Sequence, residues 1–146
     1  MTRAIAHDYL EHANLTVTDI DAVVRFIRTA LPAWHVRGEG TMDWFGKPVR
    51  WLHIGTDHFY VALMGGGEGH WPHWTSHQAG LKHLGLVVAS VDEVVHRLEA
   101  AGHPLDHWGP VNPHRRNVYV IAPEGLQFEF VEYLSADVRE RNAYAA

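Results

Sequence analysis

Polar and apolar positions alternate through HANLTV (12–17), a period of two that predicts a strand with one wet face. A turn, TDID, follows it, and its Asp21 is a candidate helix cap. The pattern then changes to helical spacing. The same succession returns later. HLGLVV (83–88) reads as a strand, and in ASVD Ser90 is the candidate cap. Val94, Val95, Leu98 and Ala101 then recur at helical spacing, with Gly102 just past the end as a C-cap. Strand-like runs bounded by turn residues complete each half: VRWLHI and HFYVALM in the first, NVYVIA and LQFEFVEYL in the second.

The recurrence is a sequence repeat. Residues 10–30 align with 81–101 at an offset of 71, with eight of 21 positions identical, His12/His83 and Asp21/Asp92 among them. Chance gives about one or two. The chain divides into module one (8–64), a connector (65–80), module two (81–134) and a polar tail (135–146). A strand-rich module that cannot close alone pairs with its copy, so one α+β domain is expected.

Alternation assigns faces. His12, Asn14 and Thr16 share one face of their strand, and His83 lies with Gly85 and Val87. Glu129 stands between Phe128 and Phe130, so it points away from the core those rings enter. A pseudo-two-fold axis relating the modules places His12 and His83 equivalently. Together with Glu129 they form a candidate metal site of two imidazoles and one carboxylate. Three protein ligands leave coordination positions open, the logic of a catalytic centre.

Composition narrows the alternatives. The 146 residues, 47% of them hydrophobic, suffice for one domain with its own core. A net charge of −5 argues against a nucleic-acid partner. Without cysteine there is no disulfide, thiolate zinc site or cysteine nucleophile. Thirteen histidines raise the weight of metal or acid–base chemistry, and six tryptophans suit an apolar pocket for an aromatic ligand. No apolar run reaches membrane-spanning length, and MTRAIAHDYLEH lacks the apolar stretch of a leader, so a cytoplasmic protein without membrane association is expected.

HLGLVVASVDEVVHRLEAAG and NVYVIAPEGLQFEFVEY resemble the vicinal oxygen chelate superfamily, which includes glyoxalase I, extradiol dioxygenases, fosfomycin-resistance thiol transferases, methylmalonyl-CoA epimerase and bleomycin-binding proteins. Its Asp-Pro-(Asp/Glu)-Gly motif, with Glu four residues on, reads here Ala122-Pro123-Glu124-Gly125 and Glu129. The resemblance covers about residues 8–134. It implies two βαβββ modules forming a cupped mixed β-sheet with helices outside, and a homodimer acting on a small-molecule substrate. Aligning 51–63 with 118–130 sets Ala62 opposite Glu129, where glyoxalase I and the epimerase carry a fourth, acidic ligand. The His12/His83/Glu129 set therefore resembles the extradiol dioxygenases, which bind Fe2+, and the fosfomycin transferases, which bind Mn2+; Zn2+ and Ni2+ are alternatives.

The dioxygenase resemblance implies two catalytic roles. Tyr119 would hydrogen-bond a metal-bound substrate oxygen, and His58 would act as acid–base. In the loop before Tyr119, His114 is a further acid–base candidate, and Arg115 is placed to hold a substrate anion. The leading expectation is a divalent-metal-dependent enzyme, leaning to extradiol-type dioxygenation. The alternatives are a fosfomycin-type transferase, a glyoxalase- or isomerase-like lyase, or drug binding without catalysis.

Overall fold

The computed structural model describes residues 7–144. Residues 1–6, part of the stretch read for a leader, and 145–146 lie outside the described residues. The elements are β1 (His12–Thr16), α1 (Ile20–Ala30), β2 (His35–Trp44), β3 (Lys47–Gly55), β4 (Tyr60–Met64), β5 (His83–Val87), α2 (Val91–Ala100), β6 (Leu105–Trp108), β7 (Arg115–Ile121), β8 (Gln127–Tyr133) and α3 (Val138–Arg141). Each of the first two groups of five is a βαβββ module. Module one forms a sheet ordered β1-β4-β3-β2 and module two a sheet ordered β5-β8-β7-β6. In both, the first strand runs parallel to the last and the remaining pairs are antiparallel. Within one chain the expected cup is thus two four-stranded mixed sheets. The edge strands β1 and β5 both border a cleft of about 350 Å³ that Trp34 and Phe59 also line.

The helices form where the apolar spacing and the caps agree. α1 buries Ile20, Val23, Phe26, Ile27 and Ala30, one stripe along its length. Its cap is Asp19 rather than Asp21, with the carboxylate accepting from Ala22 N at 2.9 Å. α2 starts at Ser90 as expected. Gly102 follows α2 at φ +86°, the left-handed conformation that glycine adopts without strain. Asp21 instead binds Arg50 of β3 at 2.8 Å, and its repeat partner Asp92 binds Arg116 of β7 at the same distance. The repeated aspartates therefore tie each helix to its sheet.

One core serves both modules. Leu15, Ile54 and Leu63 of the first sheet and Val118, Phe128 and Phe130 of the second belong to a single buried cluster with α1 and α2. Phe26 of α1 meets Phe128 of β8 at 5.2 Å between ring centroids. The faces opposite this core are the ones carrying His12 and His83. Among the described residues no helix is long and apolar enough to cross a membrane.

Module two also grips both ends of α1. Glu124 accepts hydrogen bonds from the backbone N–H groups of Thr18 and Asp19, and Arg97 donates to the carbonyls of Thr29 and Ala30. An acid at the helix start and a cation at its end both complement the helix dipole. Glu124 makes its contacts at φ +70°, an unusual conformation for a side chain of this size. Glu124→Ala is expected to lower unfolding stability by about 1–2 kcal/mol, read by urea denaturation, because two N–H groups lose a charged acceptor.

Candidate functional site

The outward face of the module-two sheet gathers polar groups from three strands. β5 pairs with β8 so that His83 faces Gln127 and Gly85 faces Glu129, while β7 sets Tyr119 directly opposite Glu129. Phe128 and Phe130 are buried on the core side, which turns the Glu129 carboxylate outward as alternation required. His83 Nε2 lies 3.0 Å from Glu129 Oε2. Asn117 Nδ2 donates to Glu129 Oε1 at 2.8 Å and also reaches the Tyr119 hydroxyl at 3.3 Å. Gly109 has no side chain to compete with the Asn117 amide; a Cβ there would collide with it.

Aromatic rings wall this cluster. His107 of β6 stacks on Tyr119 at 4.4 Å, and Trp74 of the connector stacks on His107 at 4.9 Å. The connector is therefore packed against the site. The Trp74 indole N–H is buried with no hydrogen-bond partner among the described residues. Asp106 accepts from His107 Nδ1 at 2.6 Å, holding that ring's tautomer and angle. Burial, and then the Glu129 charge, push the Tyr119 phenol above its ordinary pKa. Tyr119 is thus a protonated donor at neutral pH.

Module one carries the related arrangement with one difference. His12 is the repeat partner of His83, and Ala62 occupies the register position of Glu129: Asn14 faces Ala62 as Gly85 faces Glu129. Glu11 accepts from His12 Nδ1 at 3.0 Å, and Nε2 has no hydrogen-bond partner among the described residues. His12 stacks on Tyr60 at 4.7 Å, and its side chain is 43% exposed.

Of the expected metal ligands, the chain brings His83 and Glu129 together and leaves His12 on the other sheet. Among the described residues no group of three His, Cys, Asp or Glu is placed to hold a metal ion. The pair itself suits a cation. A separation of 3.0 Å is a hydrogen bond, and it is also the spacing of two adjacent octahedral ligands each about 2.1 Å from a metal.

The other expected site residues have local partners. His58 is exposed in the β3–β4 turn, where its backbone N–H donates to Thr56 Oγ1; no hydrogen bond or stacking joins it to Glu129 or Tyr119. His114 Nδ1 lies 3.7 Å from Glu140, and Arg115 donates to the Arg141 carbonyl and sits over Tyr144. His114 and Arg115 hold the C-terminal tail, which folds back on its own chain. Asn117, His107 and Trp74 are site residues that the sequence pattern does not single out. Asn117 shares an alternation face with Tyr119 and was readable on that ground. His107 and Trp74 come from a bulged strand and a connector, where no period signals a face.

No protein-family model and no curated protein sequence matches the chain. Solved structures do. A glyoxalase family protein from Bacillus cereus superposes with a TM-score of 0.72 at 16% identity, covering 92% of this chain and 100% of that one. A glyoxylase/bleomycin resistance protein/dioxygenase domain from Frankia sp. EAN1pec gives 0.71 at 20% identity, covering 94% and 100%. A variant of the fosfomycin resistance protein FosX from Listeria monocytogenes, complexed with Mn(II) and 1S,2S-dihydroxypropylphosphonic acid, gives 0.69 at 16% identity, again covering 94% and 100%. The likeness shows the fold, a two-module α+β architecture shared with these proteins, as the sequence resemblance implied.

Proposed function

We propose that the chain is a divalent-metal-dependent enzyme acting as a homodimer, its metal held by His83 and Glu129 of one copy and His12 of the second. The observation that carries this reading is the His83 Nε2–Glu129 Oε2 pair at 3.0 Å on an open face, beside a Tyr119 kept protonated. His12 fits as the third ligand because its Nε2 has no hydrogen-bond partner among the described residues and its Nδ1 is oriented by Glu11, the second contact that ligating histidines need. The placement of His12 on the other sheet of its own chain supports sharing between copies.

The bound metal would act as a Lewis acid on a substrate presenting two neighbouring oxygens. The surrounding residues do the rest. Asn117 keeps the Glu129 carboxylate from rotating. Tyr119 donates its hydroxyl proton in a hydrogen bond to a substrate oxygen and does not serve as a base. Trp74 and His107 shield the site from water on one side, which strengthens those polar contacts.

Within this class the finer reading is ring-cleaving, extradiol-type dioxygenation of a small aromatic substrate, supported by the aromatic walls and by Tyr119 beside the ligand pair. Transfer or ring opening of the fosfomycin type is the second reading, supported by the likeness to FosX solved with Mn(II). Metal analysis after anaerobic purification tests both. About one Fe(II) per chain, lost in His83→Ala, supports the dioxygenase reading, and catechol-dependent O₂ uptake should follow. Mn(II) or Zn(II) at the same site moves the assignment to transfer or isomerisation. No stoichiometric metal, or metal retained in His83→Ala, overturns the proposal.

A further inference from the structure

The outward face of the module-one sheet keeps His12 but lacks the carboxylate that Glu129 sets beside His83. Ala62 replaces the carboxylate, and a cavity of about 220 Å³ opens beside it, lined by Asn14, Met42, Trp51, His53, Ala62, Leu63 and Met64. A cavity of about 150 Å³ suffices for benzene, so this one has room for a single substituted ring. Its floor is aromatic, the Trp51 indole and the His53 ring meeting at 54°. Trp51 lies along β2 over Gly38 and Gly40; a Cβ on Gly40 would stand 3.0 Å from the indole, so that glycine lets the ring lie down. His53 continues the row, 5.0 Å from Trp51 and 4.5 Å from Tyr60.

A cation stands at the end of that row. The β2–β3 ladder shifts register between Val36 and Gly38, which makes Arg37 the extra residue of a β-bulge. Bulges re-aim side chains, and this one sets the Arg37 guanidinium 4.4 Å from the centre of the Tyr60 ring. Arg37 has no carboxylate within salt-bridge distance among the described residues. Glu11, the acid beside Tyr60, is bonded to His12. Module two has its own bulge at the corresponding place, between Leu105 and His107, and there the extra residue is Asp106. The two modules thus carry opposite charges at equivalent bulges. His53 does not add to the positive charge at neutral pH, because burial, then His12 and Arg37, hold its pKa below the usual imidazole value.

We propose that this face is a binding subsite for an aromatic carboxylate, with the ring on the Trp51–His53 floor and the carboxylate on Arg37. A planar guanidinium matches a carboxylate by two parallel hydrogen bonds. An aromatic cation, the alternative guest for such a floor, is repelled by Arg37. The subsite is built by module one alone and adjoins, through Tyr60, the proposed ligand His12. Where both hold, it names the substrate class of the same enzyme.

The test uses full-length protein stripped of metal with a chelator and titrated with benzoate, benzamide and acetate, followed by NMR of the His53 and Trp51 ring signals. Benzoate is expected to shift those signals at least tenfold more tightly than benzamide, and acetate not to bind measurably. Arg37→Met should weaken benzoate about tenfold and leave benzamide unchanged. Ala62→Leu, which fills the cavity without touching Arg37, should weaken benzoate and benzamide together. Equal binding of the two aromatics, or benzoate binding indifferent to either substitution, overturns the subsite. Metal content is measured on the same unstripped preparation. Benzoate binding without a metal would leave the subsite standing and remove the metal assignment, and the reverse result would remove only the subsite.

Discussion

Co-expressing the His12→Ala and Glu129→Ala proteins is expected to recover metal and activity that neither has alone. The expectation follows from which chain supplies which ligand. In a dimer with shared sites, each site takes His12 from one copy and His83 with Glu129 from the other. A mixed dimer then concentrates both lesions in one site and leaves the second intact. Random pairing makes half the dimers mixed, so about one site in four should be whole. If each site were built within one chain, every site would carry a lesion and nothing would be recovered. The two lesions should be severe singly, since each removes one of only three proposed protein ligands. Metal per chain in the mixture is the measurement, and zero recovery sinks the shared site. Size measurement of the wild type comes with it, because a monomer that nevertheless binds metal would sink it equally.

Much of this site was legible in the sequence, and the part that was not has a common cause. The repeat set His12 against His83, and period-two alternation turned Glu129 outward between two buried phenylalanines; both readings hold because regular strands preserve their faces. The opposition of Ala62 and Glu129 holds for the same reason, the two ladders being in matching register. Arg37 and His107 are hidden because each sits at or next to a bulge, where the period slips and alternation points to the wrong face. β2 itself, with Gly38 and Gly40, carries too little apolar alternation to announce a strand. Trp74 lies in a connector whose path depends on contacts far away in the chain. The partners of His114 and Arg115 are hidden likewise, since only the folded tail shows that Glu140 and the Arg141 carbonyl meet them. The cap of α1 falls two residues earlier than the pattern suggests because Asp19, and not Asp21, reaches back to the free N–H of Ala22.

Phe26→Ala is expected to destabilise the fold by about 3–5 kcal/mol, well beyond the effect of removing Glu124. Phe26 is fully buried and touches Phe128 of the other module and the His103 ring, each at 5.2 Å between centroids. Truncation removes the contact through which α1 leans on the second sheet, and the backbone cannot collapse into the gap while Glu124 and Arg97 fix both ends of that helix. A loss of this size is a large share of the total stability of one domain, and it should lower the melting temperature by about 10 °C or more. Because the buried cluster is common to both modules, the variant should still unfold in one transition. Phe45→Ala is the control: that ring is 92% exposed in the β2–β3 turn, and its loss should leave the midpoint nearly unmoved. Two separate transitions in Phe26→Ala, with the second at the wild-type midpoint, would mean that the modules stand independently and that the core does not join them. One early transition means that both half-sites, on opposite modules, are held in place by the same packing, so that neither the ligand pair of module two nor the aromatic floor of module one can persist without the other's module.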